Sequence, residues 1–149
     1  MPVPRSDGLS QSIWGAAALT ASFAGDANKR QLDVWGYNGV LFTVRVTKLG
    51  KNMTRIDVAP QVRRGPAAAW SPYPWEATTV AAPDAVTALT NRQWQKDITG
   101  LVEPFEYAFY VPTLGDRFMQ IEARAGVGDP GGSEVEIFAT RVLDSGMQG

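Results

Sequence analysis

From Val40 to Leu49 the chain alternates, with Val40, Phe42, Val44 and Val46 on one face and Thr43, Arg45 and Thr47 on the other. Successive side chains of an extended strand point to opposite faces, so this pattern predicts a half-buried β-strand. Gly50, Lys51 and Asn52 form a short turn into a second stretch, Met53 to Arg63, in which Ile56, Val58 and Val62 share a face. The two strands are expected to pair as a hairpin. Pro60, which has no N–H for a ladder, marks an edge or a bulge. Upstream, Leu32 to Tyr37 meets Asn38-Gly39, a dipeptide suited to a tight turn, so a third strand is expected to join this hairpin.

The second half repeats the pattern. Phe105, Tyr107 and Phe109 alternate with Glu106, Ala108 and Tyr110 between Pro104 and Pro112, and this aromatic strand is expected at the centre of the core. Phe118 to Val127 and Val135 to Val142 follow, joined by the glycine-rich Gly126 to Ser133, which reads as a hairpin connection rather than a helical crossover. Val86 to Leu89 and Trp94 to Ile98 read as shorter strands. Ile13 to Phe23 imitates a secretory hydrophobic segment, but Asp7 precedes it and Thr20 and Ser22 interrupt it, so it is read as a strand. No apolar stripe at three-to-four spacing exceeds a turn or two. The predicted class is therefore all-β, a two-sheet antiparallel β-sandwich with a jelly roll as one form of it.

Residues 1–12 carry two prolines and no apolar periodicity, so they are expected to form an extended arm, with the sandwich over 13–144 and a C-terminal tail over 145–149. Ordering such an arm costs on the order of 12 to 24 kcal/mol of backbone entropy. Val3 and Leu9 do not offset that alone. A neighbouring chain is the expected source of paired backbone and buried surface, with Val3, Arg5 and Leu9 as contact residues.

Composition narrows the chemistry. The 149 residues contain no histidine and no cysteine, which removes the commonest general base and metal ligand, every thiol nucleophile and every disulfide. The formal net charge of -1, with acids and bases interspersed, is not the footprint of a nucleic-acid binder. No apolar run approaches the ~20 residues needed to cross a bilayer. A soluble chain with no nucleic-acid or membrane partner, no cofactor and no metal is expected. Gly126, Gly128 and Gly131 match the spacing of a dinucleotide fingerprint, but Pro130 interrupts it and strand-like sequence follows where a helix is required. Glu103 with Glu106, and Glu134 with Glu136, are the nearest carboxylate pairs for glycoside hydrolysis. Glu134 and Glu136 lie two apart, opposite Val135 and Ile137, as a solvent-facing row would, so the chain is read as a non-enzyme. Asp129 lacks the ladder of alternating acids that binds calcium. The sequon at Asn52-Met53-Thr54 is read as coincidence.

The segment from Arg63 to Glu76 holds Trp70, Tyr73 and Trp75 among three prolines. Such a stiff loop presents aromatic rings at little entropic cost, and Trp, Tyr and Arg dominate interface energies. Trp70, Tyr73 and Trp75 are candidate contact anchors. The same rings could form a platform for stacking sugars, or fold back over the domain's own sheet, with Trp75 expected to be the most core-like.

From Gly36 to Glu76, the elements Tyr37-Asn38-Gly39, the alternating VLFTVRVT, a short turn, a second strand ending at Gln61-Val62 and a following tryptophan resemble a pattern of tailed-bacteriophage virion proteins. The resemblance spans about a third of the chain. It implies a small β-sandwich serving as a head decoration (cement) protein, located in the virion and bound to the major capsid protein or other virion proteins. The alternatives are a tail, baseplate or head-fibre component, or a carbohydrate-binding module using Trp70, Tyr73 and Trp75. A homo-oligomer is expected, a cyclic trimer by preference.

Overall fold

A computed structural model describes residues 4–23, 30–73, 94–113 and 115–144, the backbone alone for 4–9 and 144. Nine strands are found among them: β1 (Pro4–Ala17), β2 (Leu32–Asp33), β3 (Gly39–Lys48), β4 (Arg55–Arg63), β5 (Ser71–Pro72), β6 (Trp94–Asp97), β7 (Phe105–Pro112), β8 (Phe118–Val127) and β9 (Glu134–Asp144). They form two antiparallel sheets. The first has the order β1-β9-β3-β7, and the second β2-β8-β4-β5 with β6 also paired to β4. The expected β-sandwich is the fold observed.

The core is the set of inner faces that alternation predicts. Val40, Phe42, Val44 and Val46 of β3 and Val135, Ile137 and Ala139 of β9 are buried in the first sheet. Ile56 and Val58 of β4 and Met119, Ile121, Ala123 and Ala125 of β8 are buried in the second. Burying each Val, Ile or Phe contributes about 1.5 to 3 kcal/mol, so these two layers dominate the stabilisation.

The pairing departs from the predicted hairpins. β3 pairs with β7 and β9, whereas β4 pairs with β8, β5 and β6, so residues 49–54 cross from one sheet to the other. Gly126 to Ser133 likewise ends β8 in the second sheet and leads to β9 in the first. Each of these strands has one apolar face, and placing successive strands in opposite sheets turns both faces inward as effectively as a hairpin does. β2 also leaves the predicted hairpin and pairs with β8, Leu32 opposite Met119. The turn before β3 sits at Trp35 and Gly36, where Gly36 has φ 85°, and not at Asn38-Gly39.

Pro60 lies in an interior strand. It is opposite Ile121 of β8, and its carbonyl accepts the Tyr73 N–H (3.1 Å) on the other side. The N and C=O of one extended residue face the same edge, so the missing N–H falls where the flanking partner changes from β6 to β5 and the β8 ladder is intact. β7 is less central than predicted. Phe105, Tyr107 and Phe109 are half-buried and pack against the core from its margin, because β7 has β3 as its sole ladder partner among the described residues.

The predicted arm is part of the domain. From Pro4 onward the chain runs in β1, and Pro4, Arg5 and Ser6 face Asp144, Leu143 and Val142 of β9 in the same chain. The backbone partner assigned to a neighbour is thus supplied internally. Val3, the 145–149 tail and Val86 to Leu89 lie outside the described residues. Removing residues 1–12 uncovers the β9 edge from Phe138 to Asp144, so the truncated chain is expected to unfold at lower urea than the full chain, read by tryptophan fluorescence.

Candidate functional site

The three aromatic candidates separate. Trp70 is half-buried, with the Arg63 guanidinium 4.7 Å from its ring centre. Tyr73 is completely buried and its hydroxyl donates to the Pro112 carbonyl, so it is a core residue and not a contact anchor. Trp75 lies outside the described residues. Tyr73 belongs to a run of rings: its centroid is 5.5 Å from Trp94, which is 5.8 Å from Phe109, which is 5.4 Å from Phe42. These rings join β6 and the end of β5 in one sheet to β7 and β3 in the other, and close the sandwich along that side. Arg5 and Leu9 have described backbones in β1.

The candidate carboxylates are held in separate surface contacts. Glu106 pairs with Arg45 at 2.8 Å, and Glu103 accepts the Leu49 N–H at 2.5 Å. Glu134 accepts the Thr47 hydroxyl at 2.6 Å, and Glu136 the Ser12 hydroxyl at 2.7 Å. Among the described residues no group of three acids is placed to hold a metal ion. The glycines of the fingerprint-like run fall at the end of β8 and in the crossing to β9; at Gly128, with φ 102°, any Cβ would overlap the Asn52 carbonyl.

Sequence reasoning missed a buried charge. Asp57 is fully buried on the outer face of β4, between Ile56 and Val58. Its carboxylate accepts from Arg55 Nε (2.8 Å) and Nη2 (3.2 Å), and from Arg124 Nε (2.8 Å). The Arg124 guanidinium in turn covers the Phe23 ring at 4.4 Å. Gly126 lies directly against this carboxylate, where any Cβ would overlap Arg55 and Asp57. Charge-assisted bonds of this kind satisfy a buried carboxylate that would otherwise be expensive. Tyr107, half-buried on β7, has its phenol pushed above the ordinary value by desolvation and by the Asp57 charge.

The connections gather at two poles. Register places the β3–β4, β6–β7 and β8–β9 connections at one end of the sandwich and the β2–β3, β4–β5 and β7–β8 connections at the other. The first pole carries three exposed aliphatic side chains, Leu101, Val102 and Val127 at 42%, 79% and 46%, beside the exposed Lys51, Glu103 and Asp129. Its approach is fixed by Asp97, which accepts the Thr99 N–H at 2.9 Å, while the Leu101 N–H donates to the Ile98 carbonyl at 3.0 Å. The second pole carries Trp35, 67% exposed, with Asp33, Arg63, Arg64, Asp116, Arg117 and Arg141. The signal available in the sequence for Trp35 was its place in a turn beside Gly36, where a large ring has no inner face to occupy.

Compared with known proteins, the chain matches no protein-family model and no curated protein sequence.

Replacing Asp57 with Ala leaves two guanidiniums without their buried counter-charge and is expected to cost about 3 to 5 kcal/mol in urea unfolding. The hydrogen bonds from Thr99, side chain first and backbone second, hold the Asp97 carboxyl below the ordinary carboxylate value. Its contribution is therefore present above the unfolded pKa and lost as pH falls through the depressed folded value. An NMR pH titration of Asp97 is expected to move toward the ordinary value in Thr99→Ala.

Proposed function

We propose that this chain is a structural virion protein of the head decoration (cement) type, which adds to a phage capsid and works as an oligomer. The resemblance of residues 36–76 to tailed-phage virion proteins supports this reading, and so does the fold. Taking β5 and β6 as two parts of one interrupted strand leaves eight strands in two facing sheets of four, and we read their order as a jelly roll, an architecture used in capsid and lectin domains.

The observation that carries the reading is the apolar pole. Leu101 and Val102 stand exposed on the β6–β7 connection, which is held by short hydrogen-bonded turns, and Val127 is exposed at the end of β8. Exposed aliphatic side chains grouped on rigid backbone mark a contact surface, and burying each contributes about 1.5 to 3 kcal/mol before the cost of association. A modest contact of this size becomes effective when many copies engage one lattice. With β1 paired inside its own sheet and Tyr73 in the core, this pole replaces the arm and the aromatic loop as the surface that meets the shell.

Mixing purified protein with undecorated capsids and measuring occupancy by mass tests the proposal. The double variant Leu101→Asp, Val102→Asp is expected to reduce occupancy at least about tenfold with an unchanged melting temperature. Native mass measurement of the free protein reads the subunit number, a trimer being the expected result. Occupancy equal to that of the unaltered chain would remove the apolar pole from the contact.

A further inference from the structure

The arginine-rich pole has a separate chemistry, and four observations define it. Trp35 is held outward on rigid backbone. Its N–H donates to Asp33 Oδ1 at 3.0 Å, the Tyr37 N–H closes the turn on the Val34 carbonyl at 3.1 Å, and Gly36 takes the positive φ. An indole presented in this way offers a flat apolar face at little entropic cost.

The arginines beside it are also fixed in place. Arg117 reaches Asp33 at 3.8 Å, which sets it next to the Trp35 turn, and its guanidinium lies 5.2 Å from the Phe118 ring centre. Arg63 lies 5.3 Å from the same ring and 4.7 Å from Trp70. Trp70, Arg63, Phe118 and Arg117 thus form a chain of alternating rings and cations. Packing on the Phe118 ring orients the planar Arg117 guanidinium as a fork for a carboxylate, whereas the Arg63 N–H groups are taken by the Pro66 carbonyl (3.2 Å) and Gln31. Arg64, with its side chain 91% exposed, adds a further positive charge near Asp116.

The acids decide which anion fits. Asp33 and Asp116 lie among the arginines, where they would repel a continuous phosphodiester chain, but they accept hydrogen bonds from hydroxyl groups. A protein partner needs about 800 Å² on each side around an apolar centre. In the connections of this pole Trp35 is the one large exposed hydrophobic side chain among the described residues. A ring face for stacking, guanidiniums for a carboxylate and carboxylates for hydroxyls together match one ligand class.

We propose that this pole binds an acidic saccharide, with the sugar ring stacked on Trp35, its carboxylate held by Arg117 and Arg64, and its hydroxyls donating to Asp33 and Asp116. The site is independent of how the apolar pole is used, so its test needs no capsid.

Calorimetric titration of the purified chain with trigalacturonate, maltotriose and an oligothymidylate tests it. Trigalacturonate is expected to bind at least about tenfold tighter than neutral maltotriose and tighter than the oligothymidylate. Trp35→Ala is expected to weaken trigalacturonate at least about tenfold while the melting temperature is unchanged, because the side chain is largely outside the core. Arg117→Gln is expected to narrow the difference between the acidic and neutral sugars. Arg64→Gln, at a more exposed position, provides the same readout if loss of the Asp33 pair unfolds the chain. Absence of trigalacturonate binding, equal binding of the two sugars, tighter binding of the oligothymidylate, or full binding by Trp35→Ala would each overturn the proposal.

Discussion

The structure depends on the contact between two apolar sheet faces, Val40, Phe42, Val44 and Val46 with Val135 and Ile137 on one side, Ile56, Val58 and Ile121 on the other. Local pairing supplies little, because most strands enter the opposite sheet from the one before them. Apart from β4 with β5, no described strand is laddered to its neighbour in sequence. That hairpin is only two residue pairs long, too little to serve as a scaffold for its sheet. The aromatic run from Tyr73 to Phe42 and the buried Asp57 pairs are additions to that face-to-face contact, one closing its side and the other covering its outer surface.

How much of this was legible follows from what alternation encodes. It identifies a strand and its buried face, and β3, β4 and β9 were read with their inner residues correct. It does not identify the partner. A short glycine-containing connection suits a tight turn within one sheet and a crossing between two, and the choice is made by packing far away in sequence. Hence Gly50 to Asn52 and Gly126 to Ser133 looked like hairpin turns and proved to be crossings. The N-terminal segment lacked periodicity for a related reason: β1 carries register irregularities between Ser6 and Ser10 and again near Trp14, which break the two-residue rhythm without ending the strand.

The side chains of the functional surfaces were harder to read. Tyr73 and Trp70 are similar in type and three residues apart, and the Trp94 ring and the Pro112 carbonyl that receives the Tyr73 hydroxyl are what place one of them in the core. Asp57 occupies what the pattern marks as an outward polar position, and its burial comes from Arg55 and Arg124 folding over it. The two poles were invisible because each assembles three connections distant in sequence. Together they give the molecule two chemically different ends, one aliphatic and one rich in arginine and tryptophan.

The placement of the last two strands has a consequence for biosynthesis. β8 lies between β2 and β4, and β9 between β1 and β3, so the last two of the nine described strands in chain order occupy inner places in the two sheets. A nascent chain emerging from the ribosome holds β1 to β7 without the strands that join them, and neither layer is continuous until residues 118–144 are outside the exit tunnel. Closure of the sandwich is then a late step dominated by long-range pairing, which is slow by nature and leaves the unfinished edges for chaperones to shield.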